Sequence, residues 1–178
     1  MIQSSDQTEM LIGSVHIVAA PEDNPPFPVE AVTAEEDTFL VLSADPEVRK
    51  PKEDPQRLMA EAFETCPAAL GSVIVKGKDP LRLLAIIHDL NQEPSWKEEW
   101  VAGALDGIFR EAESRKLRSI ALPLLGTLHG SLEKQRFVVL LREAMERHPP
   151  SHLTHVWLVV PVGISGEILE MLESELKK

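Results

Sequence analysis

A short, almost continuously apolar run, SIALPLL at residues 119–125, constrains the fold of this 178-residue chain more than any other feature. A strand buried on both faces lacks the alternation of polar and apolar residues that a half-exposed strand shows. The run therefore predicts the central strand of a sheet that is covered on both sides, with Ile120, Leu122 and Leu124 buried.

The rest of the chain alternates short β-branched runs with amphipathic stretches, which is the pattern of an α/β domain. Apolar residues recur every four positions from Trp96 to Ala112, which indicates a helix with one core-facing side. We expect strands at residues 11–19, 29–33, 38–43, 71–77, 83–90, 119–125 and 155–160. We expect helices after Asp54 and Pro55 and at residues 95–116, 131–147 and 165–178, with Ser165 as an N-cap.

Length and composition favour one domain over residues 1–178, with residues 1–10 as a flexible N-terminal segment. The lone Cys66 has no internal disulfide partner, and we interpret it as a buried, inert thiol. The apolar run from Leu11 follows an acidic, polar start, unlike a secretory signal, and no apolar stretch reaches the roughly 18 to 20 residues of a membrane span. We therefore expect a soluble, cytoplasmic protein with no membrane partner.

The charge of the chain disfavours nucleic-acid partners. The formal net charge is −11 at pH 7, which repels a polyphosphate backbone unless basic residues gather on one face, and here they are scattered. Aromatic residues make up 4% of the chain, so stacking platforms for single strands are missing as well. A small anion stays compatible with this charge, because backbone N–H groups hold phosphate locally.

A turn with two glycines joins the run at residues 119–125 to the following helix. In open α/β sheets, ligands sit beyond the carboxyl ends of strands, where such a turn directs N–H groups and a helix dipole at an anion. The candidate ligand-binding residues are Gly126, Thr127, Leu128, His129 and Gly130. A simple tight connection explains the glycines equally well, and His129 is either an anion contact or an exposed loop side chain.

Residues 71–160 carry a resemblance to a known family. The segments GSVIVKGKDPL, LLAIIHDL, the long helix, ALPLLGTLHGSL and HVWLVV follow one another as in the C-terminal half of macro domains, which bind ADP-ribose and related nucleotides. The resemblance implies a three-layer α/β fold, with a mixed β-sheet flanked by helices. It also implies that residues 123–132 are the diphosphate loop, and that Gly126 to Gly130 bind ADP-ribose weakly through their backbone.

The chain departs from the family pattern in both halves. Leu128 and Ser131 stand where the family has glycines, and a leucine forced into the left-handed conformation costs roughly 1 to 2 kcal/mol, so Leu128→Gly is expected to strengthen binding. The strand at residues 38–43 should lead into an Asn-Ala-Ala-Asn motif and a glycine-rich loop for the distal ribose. Residues 44–55, ADPEVRKPKEDP, contain neither asparagine nor glycine. Glu22 and Asp23 are the only candidates for the adenine-binding aspartate.

Three functions remain open at this point. The first is a macro-type module that binds ADP-ribose or a related nucleotide. The second is a degenerate macro fold without nucleotide binding that acts in protein interaction or scaffolding, which requires residues 44–55 to cover the cleft. An ADP-ribosyl hydrolase ranks last, because no asparagine or replacement base is visible after Ser43.

No cofactor, metal or catalytic residue is expected. His88 and Asp89 are neighbours on a strand and point to opposite faces, so we interpret His88 as a satisfied core residue. His148, His152 and His155 lie around a loop without a cysteine or an adjacent carboxylate, which argues against a metal site.

Overall fold

The structure is a computed structural model, and it describes residues 9–42 and 67–178. The helix expected after Asp54, the loop at residues 44–55 and Cys66 lie outside the described residues. The described strands are β1 (Glu9–Ile12), β2 (Val15–Ala20), β3 (Ala31–Asp37), β4 (Val73–Lys76), β5 (Leu81–His88), β6 (Ser119–Pro123) and β7 (His155–Val159). The described helices are α1 (Glu98–Ser114), α2 (Lys134–Arg147) and α3 (Ser165–Leu176).

The strands form one mixed sheet in the order β1-β2-β7-β6-β3-β5-β4. The inner strands β2, β7, β6, β3 and β5 are all parallel, whereas β1 and β4 add antiparallel edges. The predicted α/β class with a mixed sheet and flanking helices is therefore confirmed. In this sheet β6 is the central strand, and Ile120, Leu122 and Leu124 are buried, as the apolar run predicts.

Alternate side chains of the parallel strands join the three described helices in one hydrophobic core. Ile17, Leu83 and Leu122 are fully buried in it beside Leu105 of α1 and Phe137 of α2. On the opposite face, Ala20, Ala121 and Trp157 form a smaller cluster. The indole N–H of Trp157 donates to the Ala20 carbonyl, so the polar group of this buried ring is satisfied.

The single strand expected at residues 11–19 is wrong, because the chain forms a hairpin there. β1 and β2 pair antiparallel, with Gly13 and Ser14 between them. Gly13 takes a φ of 58°, and a glycine adopts this left-handed conformation without steric cost. The hairpin begins at Glu9, so the last two residues of the segment expected to be flexible belong to β1.

The strand expected at residues 38–43 is also wrong, because the strand here is β3 and it ends at Asp37. Its sequence, AVTAEED, contains three acidic residues, and Glu35, Glu36 and Asp37 are all buried. The apolar pattern predicts one strand at residues 29–33 and another at residues 38–43, whereas β3 overlaps the first and continues through the acids between them. Residues 38–42 instead form a turn that the carboxylates of β3 hold.

The helix starts also differ from those expected. Helix α2 begins at Lys134 rather than at residue 131, because the Leu132 N–H donates back to the Gly126 carbonyl and keeps this stretch in the loop. Helix α3 begins at Ser165 itself, and Ile164 occupies the cap position without a side-chain hydrogen bond. The expectation that Ser165 is the N-cap of this helix is therefore wrong.

Candidate functional site

The strands β6 and β3 are parallel neighbours, but the chain leaves them towards opposite sides of the sheet. After β3 the chain continues to β5 on one side, whereas after β6 it continues to β7 on the other. Parallel sheets leave a crevice beyond the carboxyl ends of the strands at such a point, and ligands bind there.

A cavity of about 1030 Å³ lies at this place. Its walls come from β3, β5, β6 and β7, including residues near the starts of β3 and β5, and from the loops that follow β2, β3, β6 and β7. The lining residues include Pro21, Glu22, Asp23, Val32, Thr33, Ala34, Glu35, Leu42, Arg82, Pro123, Leu128, His129, Trp157, Val159, Val160 and Val162. The structure thus brings the adenine candidates Glu22 and Asp23 to the same cavity as Leu128 and His129 of the candidate loop.

The loop after β6 is a compact turn that depends on its two glycines. Gly126 has a φ of 83°, and the Thr127 N–H donates to the Leu124 carbonyl at 3.1 Å. At Gly130 a Cβ atom would lie 2.5 Å from the Gly126 carbonyl oxygen and 2.8 Å from the Trp96 ring, which is too close for any side chain. Gly130 is therefore required by packing.

Leu128 is not strained in this loop. The only non-glycine residues with positive φ in the described part of the chain are Leu40 and Lys116, so the left-handed position falls on Gly126 alone. The expectation that Leu128 is forced into this conformation is wrong, and the backbone reason for a gain from Leu128→Gly disappears with it. The Leu128 side chain is 61% exposed and lines the cavity.

The backbone N–H groups of the loop fall into two sets. The Gly126 N–H donates to the Glu35 carboxylate, and the Thr127 N–H is used within the turn. Within residues 9–42 and 67–178, no acceptor engages the N–H groups of Leu128, His129 and Gly130. Three consecutive backbone donors in a loop that lines the cavity are therefore available to a ligand.

Glu35 links this loop to β3 and β5. Its Oε1 accepts the hydrogen bond from Gly126, and its Oε2 lies 3.4 Å from His88 Nε2. His88 is buried, and its Nδ1 lies 3.2 Å from the Ser95 hydroxyl, so both ring nitrogens have partners. This confirms His88 as a satisfied core residue, while Asp89 turns away and accepts the Asn91 N–H. The sequence offered no signal for Glu35, because its partners come from distant parts of the chain.

The turn after β3 is held by side-chain acceptors. Asp37 accepts the N–H groups of Phe39, Val41 and Leu42 at 2.7, 2.8 and 2.9 Å, and Glu36 also accepts from Leu42 at 2.9 Å. Because β3 ends at Asp37, the place for a ribose-binding motif directly after this strand is this turn rather than residues 44–55. Three N–H groups of this turn are already occupied by carboxylates, and those of Thr38 and Leu40 donate to backbone carbonyl groups.

The remaining histidines make separate contacts. His148 pairs with Asp106 at 3.4 Å, and His152 pairs with Glu113 at 3.8 Å. The His155 ring stacks on His16 with ring centroids 4.9 Å apart. In the part of the chain that the structure describes, no three His, Cys, Asp or Glu residues form a group that could hold a metal ion. None of the described helices is long and apolar enough to cross a membrane.

Comparison with solved structures assigns the fold. A mutant of the Oceanobacillus iheyensis macrodomain with ADP-ribose superposes with a TM-score of 0.69 at 16% identity, covering 96% of this chain and 98% of that one. The chain has the macrodomain fold. The Oceanobacillus macrodomain with ADP matches with the same TM-score at 15% identity, over 95% of both chains. The macrodomain of Thermus aquaticus DarG matches with a TM-score of 0.58 at 21% identity, over 82% of this chain and 98% of that one.

This macrodomain fold is not recognisable by sequence comparison. No protein-family model matches the chain, and no curated protein sequence matches it. The similarity is one of backbone fold, because these matched structures are only 15 to 21% identical to this chain.

Proposed function

We propose that this chain binds ADP-ribose or a related nucleotide, weakly, in the cavity lined by β3, β5, β6, β7 and the loops beside them. The observation that carries the proposal is the set of three N–H groups at Leu128, His129 and Gly130, beside that cavity, that have no acceptor among the residues that the structure describes. Macrodomains of the same fold have been solved with ADP-ribose and with ADP. The cavity also has the volume that ligands of this size occupy.

The cavity offers a chemically suitable group of residues for each part of such a ligand. Phosphate oxygens accept hydrogen bonds from backbone N–H groups, which the loop after β6 offers. A base fits the apolar side formed by Trp157, Val159 and Val160, and the carboxylates of Glu22 and Asp23 are acceptors for an amino group. Among the described lining residues, the carboxylates of Glu22, Asp23 and Glu35 outnumber the one guanidinium, Arg82, which is why we expect the affinity to be low.

Calorimetric titration with ADP-ribose tests the proposal. The folded wild type should show saturable binding at millimolar ligand, and Gly130→Val should abolish it, because the new side chain displaces the loop from the Gly126 carbonyl and Trp96. Gly166→Val is the matched control, since a Cβ at Gly166 meets no atom within 4 Å. If folded wild type does not bind ADP-ribose, the loop at residues 126–130 only connects β6 to α2.

A second candidate function, protein docking, is favoured by the apolar side chains around the mouth of the cavity. Exposed apolar residues in the loops after β3, β5, β6 and β7 are Phe39, Val41, Leu42, Leu90, Leu128 and Val162. Of these, Leu42, Leu128 and Val162 line the cavity, and exposed apolar side chains gathered at one place mark interaction sites. Two results would favour protein docking over nucleotide binding. Nucleotides would not bind, and the double variant Leu128→Ser, Val162→Ser would bind less of a hydrophobic dye while it retains the fold.

A further inference from the structure

A buried carboxylate lies beneath the loop after β6. Glu35 pairs in register with Ala85 of β5, and Ala85 belongs to the hydrophobic core that joins the sheet to the helices. Residues in register on neighbouring strands point to the same face of a sheet, so the Glu35 side chain points towards the helices. This side chain is 3% exposed. A carboxylate in such a place is stable only with hydrogen-bond partners.

Both oxygens of Glu35 have partners, one from the loop and one from β5. Oε1 accepts the Gly126 N–H, and Oε2 lies 3.4 Å from His88 Nε2. A carboxylate only accepts, so His88 Nε2 is the donor of this contact. The neutral imidazole then has an acceptor at Nδ1, and the Ser95 hydroxyl lies 3.2 Å from it. Glu35, His88 and Ser95 therefore form one hydrogen-bonded chain that ends at the Gly126 N–H.

The loop has two further supports on the same side. The His88 ring meets the His129 ring edge to face, with ring centroids 6.1 Å apart. Trp96 packs so closely on Gly130 that a Cβ atom there would lie 2.8 Å from its ring. The loop is thus held at Gly126, His129 and Gly130, and this span includes the three N–H groups that have no acceptor in the described part of the chain.

Gly126 transmits the contact with Glu35 to the whole loop. It starts the turn with a φ of 83°, and its carbonyl accepts the Leu132 N–H at 3.1 Å. Fixing the peptide of Gly126 therefore fixes the start and the end of the loop together. A loop that is already ordered loses little conformational entropy when it binds a ligand, so a contact outside the cavity affects the affinity.

We propose that Glu35 is a positioning residue for the nucleotide site: its carboxylate, held by His88, keeps the loop after β6 in the conformation in which the N–H groups of residues 128–130 reach the phosphates of a ligand. This inference rests on the proposed function and adds to it a residue that acts through Gly126 and does not touch the ligand.

Calorimetric titration of folded variants with ADP-ribose tests this role. Glu35→Leu keeps a side chain of similar size but removes the acceptor of the Gly126 N–H. It should weaken binding at least about tenfold, because hydrogen bonds from the loop to a charged phosphate are among the strong ones. Glu35→Gln keeps an acceptor for Gly126 and an amide that can donate to His88, so its affinity should stay within about twofold of wild type.

Leu172→Ala is the control for a loss of stability that leaves the loop untouched. Leu172 is fully buried in α3, which packs against α2, β1 and β2, and its truncation should destabilise the fold by leaving a cavity. The folded control should bind ADP-ribose as wild type does. The positioning role is refuted if the control loses affinity as Glu35→Leu does, if Glu35→Leu binds like wild type, or if Glu35→Gln binds as weakly as Glu35→Leu.

Hydrogen exchange of the wild type is a second test, which does not depend on whether a variant folds. The Gly126 amide should exchange as slowly as those of β6, whereas the amides of residues 128–130 should exchange fast until ADP-ribose is added. If ADP-ribose binds but Gly126 exchanges fast, nucleotide binding stands and the inference is overturned. If ADP-ribose neither binds the folded wild type nor slows any amide, the proposed function fails and the inference falls with it.

Discussion

The turn after β3, residues 38–42, and the loop after β6, residues 126–130, lie on neighbouring strands at the same edge of the sheet, and both reach the cavity. The first is held by side chains, because Asp37 and Glu36 accept the N–H groups of the turn. The second is held by backbone geometry, with Gly126 at positive φ and Gly130 against Trp96.

Because of this difference, the turn after β3 contributes to stability, whereas the loop after β6 also has groups that can bind a ligand. A turn whose donors are satisfied by its own carboxylates has few left for a ligand, whereas the loop after β6 leaves three donors unused within the described chain. We therefore expect substitutions at Glu36 and Asp37 to act on the free energy of unfolding, and substitutions in the loop to act on binding as well.

The largest effect is expected for Asp37→Ala. It leaves the partly buried N–H groups of Phe39 and Val41 without acceptors and removes one of the two acceptors of the Leu42 N–H, and the free energy of unfolding should fall by about 3 kcal/mol. Asp89, directly after β5, accepts one backbone N–H in an exposed turn, so Asp89→Ala should cost only about 0.5 to 1 kcal/mol. Urea denaturation followed by circular dichroism measures both. Equal losses would mean that the buried carboxylate does not hold the turn.

Gly130→Ala should have the next largest effect, a loss of about 1 to 3 kcal/mol in the free energy of unfolding through overpacking. The added methyl group would meet the Gly126 carbonyl oxygen at 2.5 Å. Gly166→Ala lies in open space within α3 and should be neutral or stabilising by up to about 1 kcal/mol. Thermal denaturation of the pair checks the contrast, and a neutral Gly130→Ala would show that the loop relaxes freely.

A smaller effect concerns the ion pair that joins the starts of α1 and α2 beside the loop. The hydrogen bond from Arg136 lowers the pKa of Glu98, so the pair stabilises the fold above the ordinary pKa of glutamate, and this stability is lost as pH falls through the lowered value. Both side chains are more than a third exposed, so solvent screening keeps the contribution below about 1 kcal/mol.

Arg136→Gln should therefore lower the free energy of unfolding slightly at pH 7, and the difference from wild type should vanish in acid. Urea denaturation over a pH series measures it. A difference that persists well below the pKa of Glu98 would assign the effect to lost packing of the arginine stem instead.

No effect at all is expected for hydrolysis of mono-ADP-ribosylated protein. The buried acids near the cavity are engaged, because Glu35 accepts the Gly126 N–H and Asp37 accepts from its turn, so neither is positioned as a free base. ADP-ribose release should equal that of a blank without enzyme. Release above the blank that is lost in His129→Ala would contradict this prediction.

The sequence alone determined those strands and helices whose burial pattern is encoded by neighbouring residues. The apolar run at residues 119–125 identified the central strand, and the four-residue repeat identified α1 to within a few residues of Glu98–Ser114. The macrodomain fold was predicted from the order of such segments, which tolerates low identity. These features follow from the periodicity of burial, which adjacent residues encode themselves.

The tertiary structure alone decided the features that depend on distant partners. Burial of Glu35, Glu36 and Asp37 is favourable only because backbone N–H groups and His88 surround them, and some of these groups lie up to 91 residues away. The strand containing these acids was therefore misplaced, and Glu35 was missed as part of the site. Likewise Gly130 is required because Trp96 packs against it, a contact that no spacing in the sequence records. A hydrophobic pattern specifies which face is buried, but only the folded chain brings together the donors that a buried charge requires.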